Sequence, residues 1–428
     1  MAEKKNVLVF PAGTEIAFEI HQALRYSKFV RLFGATSVPC HAEFVFARCF
    51  GGLPFVNEPG LIEALNRIID ENGIDYLYPA HDSALLRLTR ERDRLHCAVV
   101  TSDLETVEVC RDKNKTYTFL AGADYLPLSW RSADAVPAYP VFLKPAVGQG
   151  SQGARRIDSR SALEEALGDG TDYAICEYLP GEEFTVDCFT DRHGVLRLVS
   201  PRSRERIRAG IAVRSRPFPA DERVRAIAED LNRRFSFNGA WFFQLKQNAA
   251  GDCRLLECAP RIAGTMGATR NLGCNLPLLT LYNHWGYDVE LLENGYGELL
   301  DRAFISRFAT DLSYENVYVD FDDTLIVDGA VNAELMRFLY QARSQGKKLY
   351  LLSRHSTELL PELERYAVSP ALFTEIRRLA PGEDKVGFIR PDSIFIDDSF
   401  AERKRVKEAC GIPVFDLDMV ESLLDWKA

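Results

Sequence analysis

A run of apolar, β-forming residues at 317–319 is followed at once by two carboxylates, Asp320 and Asp322. The run predicts a buried strand, because β-branched and aromatic side chains suit a sheet that is covered on both faces. Open α/β sheets bind their ligands at the carboxyl ends of the strands. The two carboxylates therefore predict a seat for a magnesium ion and a reacting phosphoryl group.

This motif lies late in a chain of 428 residues, a length at which a single core has stopped growing, so two or three domains are expected. The formal net charge of −10 argues against nucleic acid or an anionic membrane as the main partner. No apolar stretch reaches the length of a membrane span. The 10 cysteines form no C-x-x-C pair, which favours free thiols in a reducing compartment. We expect a soluble cytoplasmic protein.

The order of strand-like and helix-like segments divides the chain into three parts. Over the first hundred residues strand-like and helix-like segments alternate, which predicts a parallel α/β domain at 1–110. From about Asp112 strands follow one another with few helices, which predicts an antiparallel α+β domain at 111–312. A new strand-like segment begins shortly before the Asp320–Asp322 motif. A third domain, a Rossmann-like α/β domain, is therefore predicted at 313–428.

The middle part carries groups suited to binding phosphates. Lys144 ends an apolar strand, and a glycine-rich loop follows it at 148–153. Glycines let backbone N–H groups wrap phosphate oxygens, and the lysine supplies positive charge. Lys113 begins a helical segment upstream, and acidic residues flank a Pro-Gly turn within 177–183. The spacing is not that of a P-loop.

The ordered set of these residues resembles the ATP-grasp superfamily, most closely carbamoyl-phosphate-synthetase-like and D-alanine-ligase-like carboxylate–amine ligases. The resemblance covers roughly residues 5–300 and implies ATP and Mg²⁺ as cofactors. It implies that two lysines contact the phosphates, a glycine loop covers them, a hinge reads the adenine and an acid holds the ribose. The positions that match these roles are Lys113, Lys144, Gly148, Gly150, Ser151, Gly153, Glu177, Tyr178, Leu179 and Glu183.

The C-terminal part of the region that resembles the ATP-grasp superfamily carries the residues expected to bind metal. Gln244 and Glu257 look like magnesium ligands, and Arg261 looks like the arginine that stabilises the transferring phosphoryl group. The pattern usual in the family is E-x-N-P-R, whereas this chain has Ala259 in place of the asparagine. Alanine cannot coordinate a metal. The second magnesium site is therefore weak, filled by water or lost.

Four arginines alternate along a strand-like segment, at positions 202, 204, 206 and 208. On one strand they would share a face. That face is either solvated or a wall against phosphate or a substrate carboxylate. Arg206 is the favoured ligand of the four because it approaches Gly210.

The last part of the chain carries four strand-end or turn elements in a fixed order: Asp320, Ser353, Lys385 and the pair Asp397-Asp398. They resemble the haloacid dehalogenase (HAD) superfamily over about residues 315–428. The connections leave no room for a cap domain. The predicted fold class is thus an α/β multidomain protein with an N-terminal pre-ATP-grasp α/β domain, an ATP-grasp α+β domain and a C-terminal Rossmann-like capless HAD domain.

The HAD resemblance implies a role for each of these residues. Asp320 would be the nucleophile that forms an aspartyl-phosphate, and Asp322 the general acid and base. Ser353 and Lys385 would hold the phosphoryl oxygens. Magnesium would be bound by Asp320, Asp322 and Asp397, with Asp398 as a supporting or substrate-contacting group.

Together these parts predict a bifunctional enzyme. ATP-dependent ligation of a small-molecule carboxylate to an amine, through an acyl phosphate, would be coupled to hydrolysis of a phosphorylated metabolite. Two alternatives stay open: a phosphatase regulated by a degenerate ATP-binding module, and ATP-dependent phosphorylation of a small molecule. The fusion resembles ATP-grasp and HAD proteins of bacterial tellurite-resistance-type biosynthetic clusters, an association that names no substrate.

Overall fold

The computed structural model describes residues 4–148, 150, 152–380 and 382–427. The chain forms two compact units, Met1–Phe304 and Ile305–Ala428, which we call unit 1 and unit 2. This boundary lies before the one expected between residues 312 and 313. The further division of unit 1 at residues 110 and 111 stays a prediction. No helix within the described ranges is both long and apolar enough to cross a membrane.

Unit 1 begins with a parallel five-stranded sheet in the order β3-β2-β1-β4-β5. Its strands are β1 (Lys5–Phe10), β2 (Val30–Ala35), β3 (Cys49–Phe50), β4 (Tyr76–Pro79) and β5 (Ala98–Val99). Alternate side chains of β1 enter different apolar clusters, Val7 and Val9 on one face and Leu8 and Phe10 on the other. The predicted parallel α/β opening is confirmed.

Most helices of unit 1 start at a residue whose side chain caps the helix, the exceptions being the two helices that begin at Leu61 and Gly267. Thr14, for example, caps the first helix by accepting a hydrogen bond from the backbone N of Ala17 at 3.1 Å. The helices are α1 (Glu15–Leu24), α2 (Leu61–Asn72), α3 (Asp82–Arg90), α4 (Leu104–Arg111), α5 (Lys113–Phe119), α6 (Arg160–Leu167), α7 (Glu222–Arg234), α8 (Gly267–Asn271) and α9 (Leu276–His284).

The rest of unit 1 is antiparallel, as the series of strands predicted. One sheet has the order β6-β9-β7-β8, a second β11-β10-β14-β15 and a third β12-β13-β16. The strands are β6 (Ser129–Trp130), β7 (Val141–Pro145), β8 (Arg155–Ile157), β9 (Tyr173–Glu177), β10 (Glu183–Thr190), β11 (Leu196–Ser203), β12 (Arg206–Arg208), β13 (Ile211–Ser215), β14 (Gly239–Gln247), β15 (Cys253–Ala259) and β16 (Leu300–Asp301).

The expectation that the four alternating arginines share one strand face is wrong. The strand breaks after Ser203, because β11 pairs with β10 whereas β12 turns back to pair with β13. Arg202 is buried and donates two hydrogen bonds to Asp187, at 2.8 and 3.0 Å. Arg206 lies beyond the break and is exposed, with its guanidinium 2.7 Å from Asp301.

Unit 2 is built on a second parallel five-stranded sheet, in the order β21-β20-β17-β22-β23. Its strands are β17 (Asn316–Val319), β18 (Ile326–Val327), β19 (Ala330–Val331), β20 (Lys348–Ser353), β21 (Glu375–Arg378), β22 (Ser393–Ile396) and β23 (Val414–Phe415), of which β18 and β19 form a separate hairpin. The helices are α10 (Ala333–Ser344), α11 (Leu359–Arg365) and α12 (Phe400–Cys410). Asp320, Ser353 and Asp397 all stand at the carboxyl ends of neighbouring strands.

Candidate functional sites

Unit 1 contains an open cavity of about 930 Å³ between its antiparallel strands. The cavity brings together residues that the sequence spreads over about 150 positions. The predicted ATP and metal residues that line it are Lys113, Lys144, Gly148, Gly150, Glu177, Tyr178, Leu179, Glu183, Gln244 and Glu257. Gly153 and Arg261 are not among the lining residues, and Ser151 lies outside the described residues.

Two buried or half-buried lysines, Lys113 and Lys144, line this cavity. Lys144 is only 7% exposed, and its ammonium group donates to the Tyr117 hydroxyl at 2.7 Å and to the Leu256 carbonyl at 3.0 Å. The Lys113 ammonium lies 3.3 Å from the Pro145 carbonyl. Burial lowers the pKa of Lys113, against the nearby Glu257 carboxylate, which raises it. Both ammonium groups are thus held in place by uncharged oxygens, which leaves their charge available to an anion.

Gln244 and Glu257 face each other across neighbouring strands, because β14 and β15 pair in a register that places them opposite. Both line the cavity. Their oxygen atoms suit Mg²⁺, which is commonly held by one or two protein oxygens together with substrate phosphates. Ala259 follows Glu257 by two residues on β15. It is 7% exposed and packs in an apolar cluster with Phe242. The donor set therefore fits one magnesium ion and offers no ligand at position 259.

Two further cations line the cavity: Arg204, one of the four alternating arginines but not the favoured one, and Lys246, which the sequence patterns did not single out. Arg204 approaches Glu183 with a distance of 2.7 Å between Nε and Oε1, and Lys246 lies 3.7 Å from the other oxygen of the same carboxylate. Both line the cavity, and Arg206, the arginine favoured from the sequence, does not. Lys246 follows Gln244 by two residues on β14, so the alternation of strand side chains was a usable signal for it.

Gly150 of the glycine-rich loop lies against the turn between β12 and β13. Gly210 in that turn has φ +75°, and a Cβ placed on it would lie 2.1 Å from the carbonyl carbon of Gly150. Arg204 donates to the carbonyl oxygen of the same Gly210 at 3.0 Å. A glycine at 210 is therefore required for the close approach of the turn to the loop, as well as for its backbone conformation.

Arg261 lies outside the cavity lining and is bound to Asp82, 179 residues earlier in the chain. Both contacts to the carboxylate measure 2.6 Å, and the guanidinium also lies 5.1 Å from the centre of the Phe242 ring. Burial disfavours the charged carboxylate, yet the guanidinium outweighs it and lowers the pKa of Asp82 to about 2. The predicted role of Arg261 in phosphoryl transfer stays a prediction.

In unit 2, Lys385 joins two of the strand-end carboxylates. Its ammonium nitrogen is 2.6 Å from Asp320 and 2.6 Å from Asp397, and all three side chains are buried. Burial raises the pKa of Asp320 to about 6, with a further rise from Asp397, against the lowering effects of Lys385 and the Ser353 hydroxyl. The arrangement pairs one cation with two acids in a site shielded from water.

Asp322 lies outside the buried Asp320–Lys385–Asp397 cluster. It is exposed, and its carboxylate is 2.8 Å from Nδ1 of His355, a residue that the sequence patterns did not single out. Asp398 accepts a hydrogen bond from the Thr324 hydroxyl at 3.1 Å. In the described part of the chain no three Asp, Glu, His or Cys side chains are arranged to hold a metal ion. The predicted metal-binding role of Asp322 alongside Asp320 and Asp397 stays a prediction.

Residues 170–294 match the family described as "ATP-grasp in the biosynthetic pathway with Ter operon". A biotin carboxylase–β-γ-ATP complex from Campylobacter jejuni is 16% identical, with a TM-score of 0.57, and the match covers 69% of this chain and 75% of that one. The chain contains an ATP-grasp fold. An N5-carboxyaminoimidazole synthetase from Staphylococcus aureus (13% identity, TM-score 0.54, 68% and 81% covered) and an L-amino acid ligase from Bacillus licheniformis (19% identity, TM-score 0.52, 68% and 76% covered) also share it.

No curated protein sequence matches the chain. The family match spans the predicted ATP-grasp positions from Glu177 to Arg261. The resemblance of unit 1 to the ATP-grasp superfamily is therefore confirmed. The comparisons provide no evidence for a HAD domain, which stays a prediction.

Proposed function

We propose that unit 1 binds Mg²⁺-ATP and uses it to ligate a small-molecule carboxylate to an amine. The observation that carries the proposal is the single cavity in which Lys113 and Lys144 stand beside Gln244 and Glu257. ATP needs its phosphate charges neutralised and its γ-phosphate aligned before transfer. Magnesium bound at Gln244 and Glu257 would neutralise phosphate charge.

The residues of the cavity divide the work of this reaction. The two lysines bind phosphate oxygens, the glycine loop and the turn at Gly210 exclude water, and Glu183 orients the ribose. A substrate carboxylate oxygen attacks the γ-phosphorus, and ADP leaves. The amine then attacks the acyl carbon, inorganic phosphate leaves, and the amine loses a proton as the amide forms.

Lys144→Met tests the proposal. The substitution keeps most of the unbranched side chain but removes the buried charge, so the Kd of a non-hydrolysable ATP analogue should rise at least about tenfold, or about 1.4 kcal/mol. Calorimetric titration with magnesium present measures it. Lys115→Met, an exposed lysine two residues after Lys113, is the control and should bind normally. Equal affinity in both variants would contradict the proposed ATP site.

Turnover tests the ligase reaction itself. Release of ADP and phosphate should require both an acid and an amine, supplied as a panel of small carboxylates and amino compounds. ATP consumption with the acid alone, with the phosphate retained on it, would instead indicate a kinase.

We further propose that unit 2 hydrolyses a phosphate ester of a small metabolite. The buried Asp320–Lys385–Asp397 cluster supports this proposal, because it supplies a nucleophile and a cation for phosphoryl oxygens at the carboxyl ends of parallel strands. Asp320 would attack phosphorus, and the alcohol would leave with a proton from Asp322, the predicted general acid. Water, deprotonated by Asp322, would then attack the phosphorus of the aspartyl-phosphate, releasing inorganic phosphate and regenerating Asp320.

Asp320→Asn should abolish hydrolysis of p-nitrophenyl phosphate by the full chain, because an amide is a poor nucleophile. Asp323→Asn is a matched control in the same loop: Asp323 is exposed and has φ +52°, a conformation that asparagine tolerates. Hydrolysis that survives in Asp320→Asn would reject this assignment.

A second candidate for unit 1 is a non-ligating ATP-binding module that regulates the phosphatase. The burial of Ala259 in an apolar cluster favours it, since the position offers nothing to a second magnesium ion. ATP binding without turnover, together with a changed rate of p-nitrophenyl phosphate hydrolysis, would support this candidate over the ligase.

A further inference from the structure

Unit 2 has an open cavity of its own, of about 770 Å³, on one face of its parallel sheet. None of the described residues that line it belongs to the Asp320–Lys385–Asp397 cluster. The residues that matter for its chemistry are Tyr318, Tyr350, Glu375, Arg377, Phe388 and Arg390. The first two belong to central strands β17 and β20, and Glu375 and Arg377 to edge strand β21.

The cavity exists because one connection of the sheet carries no α-helix. Helices α10 and α11 pack on the opposite face, where they join the apolar cluster of Val317 and Leu349. The described residues of the connection from β21 to β22, 379–380 and 382–392, form a short 3₁₀ turn, Lys385–Phe388, and no α-helix. Helix α12 contributes Val406 to the core on this second face. The part of the face next to β20 and β21 is therefore left open beside the chain at 387–391.

A buried hydroxyl in this cavity lacks a hydrogen-bond partner. Tyr350 is only 3% exposed, and its hydroxyl oxygen is buried with no partner in the structure. Its ring is fixed by stacking on Tyr318, with centroids 4.6 Å apart. The hydroxyl of Tyr318, in contrast, donates to the Phe388 carbonyl at 2.8 Å. Leaving a buried hydroxyl unpaired is unfavourable, and an acceptor bound in the cavity would remove that cost.

The charges of the lining favour an anionic acceptor. Arg377 is neutralised by Glu375, to which it donates at 2.9 and 2.6 Å. The Arg390 guanidinium lies 5.0 Å from the centre of the Tyr350 ring. No carboxylate in the described part of the chain forms an ion pair with Arg390. One unneutralised cation and one unpaired hydroxyl donor thus stand at the same aromatic ring.

We propose that this cavity binds a small organic anion whose charged group is held by Arg390 and accepts a hydrogen bond from Tyr350. Carboxylates and phosphate esters share that chemistry. The side chains of Phe388 and Tyr350 give the cavity an apolar wall, so the anion carries an apolar or aromatic body. This site is separate from the proposed catalytic residues and does not depend on either proposed activity.

Calorimetric titration of the full chain with benzoate and, separately, with phenylphosphonate tests the proposal and distinguishes the two anion classes. At least one of them should bind. Arg390→Ala should weaken that binding about tenfold or more, and Tyr350→Phe should weaken it by a smaller factor. Arg365→Ala, an exposed arginine paired with Glu362 on α11, is the matched control and should bind normally.

Thermal unfolding gives an independent readout. Because the Tyr350 hydroxyl is buried without a partner in the protein, Tyr350→Phe should raise the Tm without anion and should reduce the increase in Tm that the anion produces. The proposal is overturned if neither anion binds, or if Arg390→Ala and Tyr350→Phe bind as tightly as Arg365→Ala. A lower Tm in Tyr350→Phe than in the unsubstituted protein, measured without anion, would also overturn the proposal, since it would reveal a protein partner for the hydroxyl.

Discussion

Replacing Gly210 by alanine would disturb two properties of this position, its backbone conformation and its close contact with Gly150. Its φ of +75° alone makes alanine unfavourable by about 1–2 kcal/mol. Its new methyl group would also stand 2.1 Å from the carbonyl carbon of Gly150. Carbon atoms in contact prefer about 3.5–4.0 Å, so the turn and the glycine loop would have to separate by more than about 1 Å.

That separation should appear in nucleotide binding. The glycine loop is proposed to cover the phosphates, and losing one hydrogen bond to a charged phosphate costs about 1.5–3 kcal/mol, or about 10- to 100-fold in Kd. We therefore expect the Kd of a non-hydrolysable ATP analogue, measured calorimetrically with magnesium, to rise about 10- to 100-fold in Gly210→Ala.

Gly251→Ala is the matched control. Gly251 lies in the turn between β14 and β15 with φ +87°, and a Cβ there would meet nothing within 4 Å. Both variants should lose similar stability from backbone strain, but only Gly210→Ala should lose affinity. If both bind the analogue equally well, the turn does not position the loop and the reasoning is wrong.

Three other outcomes are expected. Arg204→Met should weaken binding of the ATP analogue several-fold, and Arg206→Met should not, because only Arg204 lines the cavity beside Glu183. Asp82→Asn should lower the free energy of unfolding by about 2–3 kcal/mol, measured by urea denaturation, because it leaves the charge of Arg261 without its partner. Burial lowers the pKa of His284 to about 4, so the unfolded chain takes up a proton as pH falls below about 6.5 while the folded chain does not. Unfolding free energy should therefore fall between pH 6.5 and 4, and less steeply in His284→Gln; identical pH profiles would reject this account.

The sequence alone predicted the elements of both units well, because the signals are local. Alternating apolar residues mark β10, an unbroken apolar run marks β14, and strand ends carry the acids of unit 2. The cavity of unit 1 was also predictable in part. Lys113, Lys144, Gln244 and Glu257 were identified from their order along the chain, through a resemblance that the fold comparison supports.

Contacts between distant segments were decided only by the tertiary structure. The spacing of the arginines is the same at 204 and 206, but the strand break after Ser203 brings Arg204 into the cavity and leaves Arg206 in solvent. Arg261 finds Asp82 across 179 positions, and no local pattern encodes that pairing. The unpaired Tyr350 hydroxyl likewise depends on a missing covering helix. Local patterns determine which elements form, whereas the partner of each charged or polar side chain depends on how those elements pack.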